Sequence, residues 1–378
     1  MSGFDVAVVG AGIVGAATAS ELARRGVSVC LLDRGEVSGG TTGLGEGNVL
    51  VSDKDAGPEL ELALHGLRMY DEIEERLGPV ARIRRKGALI VHPDAGTWAA
   101  EPARVRRLRA AGVEAELLSA EEAAEREPAL TGSLCGASHF PHDLQCAPRA
   151  IARALAAEPG VELRTGCRVD AVDVRGGRVV GVLTETGRVA CGAVVLAAGV
   201  WTAPLAAGVG LRLPVEPRKG QLLRLRVPDP SPRLIRHKVV DGSYLRSAAS
   251  GEPGLQVTTV LETTWEGHVL VGSSRERRGF DVAVDDAVSA AMLDRAVRLM
   301  PSLAGLRRDG AWAGLRPWLP DGLPAIGASA AAAGLWIATG HEGAGVALGP
   351  VTGRAIAAAM CGEPPLIDLA AFRPDRFG

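Results

Sequence analysis

The chain has 378 residues, of which 47% are hydrophobic and 23% charged, with a formal net charge of −2. That length suits about two domains around a large core, and the near-neutral balance leaves no basic excess for a nucleic-acid or anionic-membrane partner. Six scattered cysteines (Cys30, Cys135, Cys146, Cys167, Cys191 and Cys361) show no C-x-x-C spacing, and His139 and His142 have no nearby ligands. A reduced, cytoplasmic, metal-free protein is therefore expected.

Residues 4–9 read as a buried strand that runs into G-x-G-x-x-G at Gly10, Gly12 and Gly15. A helical stretch over 16–25 follows, then an apolar strand over 27–32 that ends on Asp33. Strand, tight turn, helix, strand and acid in this order predict a dinucleotide-binding βαβ unit. Gly10 makes the turn, Gly12 admits the pyrophosphate, Gly15 lets helix and sheet pack closely, and Asp33 takes the ribose hydroxyls. The N–H groups at the start of the helix face the phosphates. The strand begins almost at once, so no secretory leader is expected ahead of it.

The glycine-rich run Gly39 to Asn48 reads as a loop that approaches a ligand, or as a plain surface loop. A helix is predicted over 59–77, a strand over 85–92, helices over 103–126 and an amphipathic helix over 149–157. Short strands follow at 161–164, 168–174, 178–185 and 188–191, and a fully buried one at 194–201. The uncharged stretch 193–211 contains Pro204 and several glycines, so it reads as strand and loop and not as a membrane span. Strands are then expected at 221–227, 237–240, 244–246, 255–260 and 269–273, with one helix over 285–300. A buried strand over 335–339 leads through a glycine-rich turn into a helix over 346–360. This alternation predicts an α/β, Rossmann-like cofactor domain built from discontinuous segments, interleaved with a mainly β substrate-binding domain. We place the first at 1–80, 144–214 and 325–378, and the second at 81–143 and 215–324.

Three features favour FAD over NAD. The fingerprint occurs once, and the T-T-G-x-G loop follows Asp33 where an extended dinucleotide would continue. The turn at Gly343 and Gly345 also opens a helix whose positive end suits a reduced flavin. An NAD-dependent dehydrogenase is the rival enzyme class.

Further motifs run through the chain: L-A-A-G-V-W at Leu196 to Trp201, P-R-K-G-Q at Pro217 to Gln221 and W-A-G-L-R-P at Trp312 to Pro317. P-D-G-L-P-A-I-G at Pro320 to Gly327 and T-G-H-E-G-A-G at Thr339 to Gly345 complete the series. With G-A-G-I-V-G and G-T-T-G, this order resembles the D-amino-acid oxidase superfamily of FAD enzymes, nearest its glycine-oxidase, sarcosine-oxidase and D-amino-acid-dehydrogenase branch.

The resemblance implies hydride removal from the carbon bearing an amine, giving an imine that hydrolyses to an oxo acid. It implies Arg316 as the substrate's carboxylate anchor, since a guanidinium fits a carboxylate in one plane, and Tyr244 as an active-site tyrosine. The implied cofactor set is Gly10, Gly12, Ile13, Val14, Gly15, Asp33, Arg34, Thr41, Thr42, Gly47, Asn48, Val169, Ala198, Gly199, Trp201, Gly314, Arg316, Gly343, Ala344, Gly345 and Val346. Glu342 is placed to attract an ammonium group or is a solvated loop carboxylate, His341 flanks the same turn, and Glu46 borders the flavin face. No cysteine lies between Cys191 and Cys361, so the flavin is expected to be non-covalent. The amine substrate's electrons would pass to oxygen or a quinone, in a homo-oligomer or beside a partner subunit.

Overall fold

Val6 to Val9 in strand Phe4–Val9 are buried on both faces, which requires a central position in a covered, parallel sheet. The computed structural model, which describes residues 3–131, 133–230 and 234–378, places the strand there. Val29–Leu32 and the second half of Gly187–Leu196 flank it in parallel. The sheet runs in the order Ala325–Ala328, Leu335–Thr339, Gly187–Leu196, Phe4–Val9, Val29–Leu32 and Val161–Arg164. The hairpin Val169–Arg175 and Arg178–Thr184 extends from Gly187–Leu196.

Helix Ile13–Ala23 packs against this sheet and against helix Gly345–Met360. The helices approach so closely at Gly353 that an added Cβ would come within 2.6 Å of the Ala17 backbone. Helix Pro58–Leu77 packs on the second of them, with the Tyr70 hydroxyl donating to Val346 O at 2.7 Å.

The second sheet has the order Arg307–Trp318, Glu216–Arg226, Val269–Arg275, Gln256–Thr263, Lys238–Asp241, Ala88–His92, Gly136–Phe140 and Glu116–Leu118. Its strands are antiparallel except for the pair Lys238–Asp241 and Ala88–His92. Helix Asp286–Leu299, capped by Asp285 through the amides of Ala287 and Val288, covers one face around Met292, Ala296 and Leu299.

Several elements differ from the sequence reading. Residues 103–126 are not all helix, because Glu116–Leu118 joins the edge of the second sheet beside Gly136–Phe140. Three residues are too few to show a period of two. The strands expected at 188–191 and 194–201 are one, Gly187–Leu196, which pairs with the hairpin in its first half and the parallel sheet in its second. Gly199–Trp201 turns away as a 3₁₀ helix. The presumed loop 39–48 holds a helical turn, Thr41–Leu44, and the start of strand Asn48–Val49.

Tyr244 does not open a strand. It lies in helix Ser243–Ala249, started where the Asp241 carboxylate accepts the Ser243 N–H at 2.8 Å. Strand Arg307–Trp318 was not foreseen, since its glycines, alanines and Pro317 carry little β signal.

Candidate active site

A cavity of about 770 Å³ runs between the two sheets. Every candidate cofactor residue except Gly15 lines it, as do Arg316 and Tyr244. Gly15 stands behind the wall, where a Cβ would fall 1.8 Å from Gly10 O, so its bareness serves helix–sheet contact. Gly10 has φ +107, and a Cβ there would meet Ala197 O at 2.5 Å. The Ile13 N–H donates to Thr42 Oγ1 at 3.1 Å, which ties the fingerprint helix to the T-T-G segment. Asp33 accepts the Ala11 amide on Oδ2 at 2.7 Å and the Gly35 amide on Oδ1 at 2.8 Å. Each carboxylate oxygen keeps a lone pair for a hydroxyl. At the mouth the Arg34 guanidinium lies 3.7 Å from the Trp201 ring centroid, and Phe280 stacks on Trp201 at 6.0 Å.

At the opposite end the long pairing of Arg307–Trp318 with Glu216–Arg226 sets Arg316 beside Arg218 and Gly314 beside Gly220. The Arg316 guanidinium lies over Gly220, and its Nη1 donates to Ser274 O at 3.1 Å. Arg218 donates to the carbonyls of Ser247, Ala248 and Ser250, holding the end of the Tyr244 helix. Arg275 lies with its guanidinium carbon 4.2 Å from the Tyr244 ring centroid.

Glu342 is not a solvated loop carboxylate. Its side chain is 23% exposed and lies within 4 Å of Arg218, Arg275 and Arg316. Burial opposes its ionisation, but the three guanidiniums and the Gly343 amide hold its carboxyl below the usual range. Its neighbour His341 is buried, with Nε2 3.0 Å from Thr352 Oγ1, and burial pushes its pKa down to about 3. It stands as a neutral imidazole.

Sequence reasoning missed the lysines of the site. Lys238 lines the cavity and ion-pairs with Glu46, which also accepts the Asn48 amide at 2.8 Å. Lys238 lies 3.9 Å from Glu262, whose other oxygen holds Lys86. Lys54 lines the cavity too, 2.8 Å from Asp53 and 3.5 Å from Glu59. A signal for them existed. Only four of 42 basic residues are lysines, and the side chains of all four are at most 6% exposed and ion-paired. Each of these rare lysines is itself buried against a carboxylate.

The model of the DAO family, described as FAD dependent oxidoreductase, matches residues 5–359. The chain belongs to the DAO family. It is similar to a glycine oxidase of Pseudomonas aeruginosa, 32% identical over 98% of each chain. It is also similar to the hydrogen cyanide synthase subunit HcnC of the same organism, 28% identical over 99% of this chain and 96% of that one. The solved glycine oxidase of Geobacillus kaustophilus superposes with a TM-score of 0.88 at 29% identity, covering 99% of this chain and 98% of that one. This DAO-family chain is thus an FAD-dependent amino-acid or amine oxidoreductase. No helix among its described residues is long and apolar enough to cross a membrane.

Proposed function

We propose that the protein oxidises an amino acid or secondary amine of the glycine, sarcosine or D-amino-acid type to an imine, which hydrolyses to an oxo acid. The observation that carries this reading is that one cavity joins the glycine-lined fingerprint at one end to the Arg316 guanidinium at the other. The residues fit a non-covalent FAD. Gly10 and Gly12 present bare backbone, and helix Gly345–Met360 meets the cavity without a side-chain cap. The volume is at the upper end of the usual ~300–1,000 Å³ for ligand sites, enough for an extended dinucleotide and a small substrate. When bound, the flavin supplies the hydride acceptor at N5.

Arg316 holds the carboxylate and so fixes which Cα–H bond faces the acceptor. Tyr244 closes the same end beside Arg275. Leu222, Val240 and Val260 give the second sheet's side of the cavity an apolar wall. We assign 1–80, 144–214 and 325–378 to the cofactor unit and 81–143 and 215–324 to the substrate unit; the two sheets support that division. Six unpaired cysteines support a reducing, cytoplasmic setting.

Anaerobic bleaching of the yellow protein with D- and L-amino acids and N-methyl amino acids, followed by air, tests this reading. Bleaching by at least one such amine is the expected result; a flavin that none of them reduces overturns it. A second reading, a flavoprotein subunit passing electrons to a partner, is favoured by the likeness to a hydrogen cyanide synthase subunit. It predicts slow reoxidation in air and rapid discharge to a quinone.

A further inference from the structure

Glu342 places a carboxylate of the protein itself inside the arginine cluster that the proposed reaction uses. Its Oε1 lies 3.7 Å from Arg218 Nη1, 3.7 Å from Arg275 Nε and 3.9 Å from Arg316 Nε. Among the described residues this buried oxygen makes no hydrogen bond. Arg275 is 1% exposed, yet its Nε and Nη1 also lack hydrogen-bond partners there. These distances are too long for charge-assisted hydrogen bonds, and buried guanidinium N–H groups without such bonds are costly. The cluster is therefore loosely filled by a group of the chemistry it suits. The backbone gives no other reason for the residue. Glu342 has φ +45, a left-handed conformation that glycine adopts without strain and glutamate does not.

We propose that Glu342 is an internal stand-in for the substrate's carboxylate: it occupies the Arg218–Arg275–Arg316 cluster until an incoming carboxylate takes its place. The proposal rests on the reading of Arg316 as the anchor. Exchanging one carboxylate for another keeps the charge of the cluster constant, so the buried guanidiniums are never left without an anion. A neutral or purely cationic amine gains nothing by displacing Glu342. The device therefore selects amines that carry a carboxylate and lowers their apparent affinity by the fraction of enzyme in the filled state.

The test titrates flavin-loaded wild type, Glu342→Gln and Glu342→Asp with benzoate and acetate, which lack an amine, and follows the flavin absorbance. Glutamine removes the competing charge. Aspartate keeps the charge but is one methylene too short to occupy the cluster. The expected result is benzoate binding about tenfold tighter in Glu342→Gln, as removal of a ~10:1 preference for the filled state requires. Glu342→Asp should fall between it and wild type. Aspartate matching wild type while glutamine binds tightly would show an effect of net charge alone and overturn the proposal. Unchanged or weaker binding in Glu342→Gln would overturn it too. Wild-type crystals soaked in benzoate give an independent readout, in which Glu342 leaves the cluster; Glu342 unmoved beside bound benzoate also overturns it. If none of the three proteins binds any carboxylate, the Arg316 anchor reading falls, and this proposal with it. If carboxylates bind without tightening in the variants, this proposal alone falls.

Discussion

A Cβ on Gly220 would sit 2.1 Å from Arg316 Nη1, so a bare strand position is what lets the guanidinium lie across the sheet towards the cavity. Arg316→Met should lower kcat/KM by roughly 10- to 1000-fold, since a charged hydrogen bond contributes about 1.5–3 kcal/mol. Flavin content should stay normal, and Arg316→Lys should restore part of the loss because an ammonium cannot reproduce the planar fork. Full activity in Arg316→Met, or loss of flavin with it, would remove Arg316 from the anchor role. His341 makes a second residue-scale prediction. The folded imidazole titrates at about 3 because it is buried, against about 6.5 in an unfolded chain. Above pH 6.5 neither state carries the proton, and the contribution to stability is complete. As pH falls from there towards 3, the unfolded state binds a proton that the folded state refuses, and stability declines by up to about 1.4 kcal/mol per pH unit. Urea midpoints at pH 7.5 and 5.5 should therefore differ more for wild type than for His341→Gln; equal differences would count against a buried neutral ring.

At the scale of elements, helices Ile13–Ala23 and Gly345–Met360 approach each other backbone to backbone. A Cβ on Gly353 meets Ala17 C at 2.6 Å and Thr18 N at 2.6 Å, both of them backbone. Gly353→Val should lower the thermal midpoint by an amount matching about 1–3 kcal/mol of overpacking, and flavin affinity should drop as the fingerprint helix shifts. A variant as stable as wild type would show that the helices separate at little cost. These helices were legible in the sequence because composition, length and flanking glycines agreed. The central strands were legible as short apolar runs between turns. Arg307–Trp318 was not, because it holds its place through eleven paired positions along Glu216–Arg226 rather than through its own propensity. Tyr244 was misplaced for a related reason: three residues, Y-L-R, suit strand or helix, and the helix starts just after the Asp241 carboxylate accepts the Ser243 amide. In the site, glycines and motif residues could be read from order and spacing. The Lys86–Glu262–Lys238–Glu46 chain could not, since its members come from four separate segments that only the fold brings together.

That chain matters for the whole molecule. Glu262 is fully buried between Lys86 and Lys238 in the second sheet, and Lys238 reaches across to Glu46 from the cofactor side. Burial works against the charge on Glu262, but the two ammonium groups outweigh it and keep the carboxyl ionised. Glu262→Ala leaves two buried cations short of a partner, which should cost about 3–5 kcal/mol. Calorimetry of the flavin-loaded protein should show that loss; a variant within about 1 kcal/mol of wild type would mean that water or Glu46 compensates the lysines.

The strand order of the first sheet also bears on biosynthesis. Leu335–Thr339 lies directly beside Gly187–Leu196, and Ala325–Ala328 beyond it. While a ribosome makes the chain, the early strands wait with an open edge for more than a hundred residues of translation. The cavity wall from Gly343 to Ala347 arrives later still. Flavin loading is therefore a late event of synthesis, and a nascent chain that ends before that segment leaves one edge of Gly187–Leu196 unpaired.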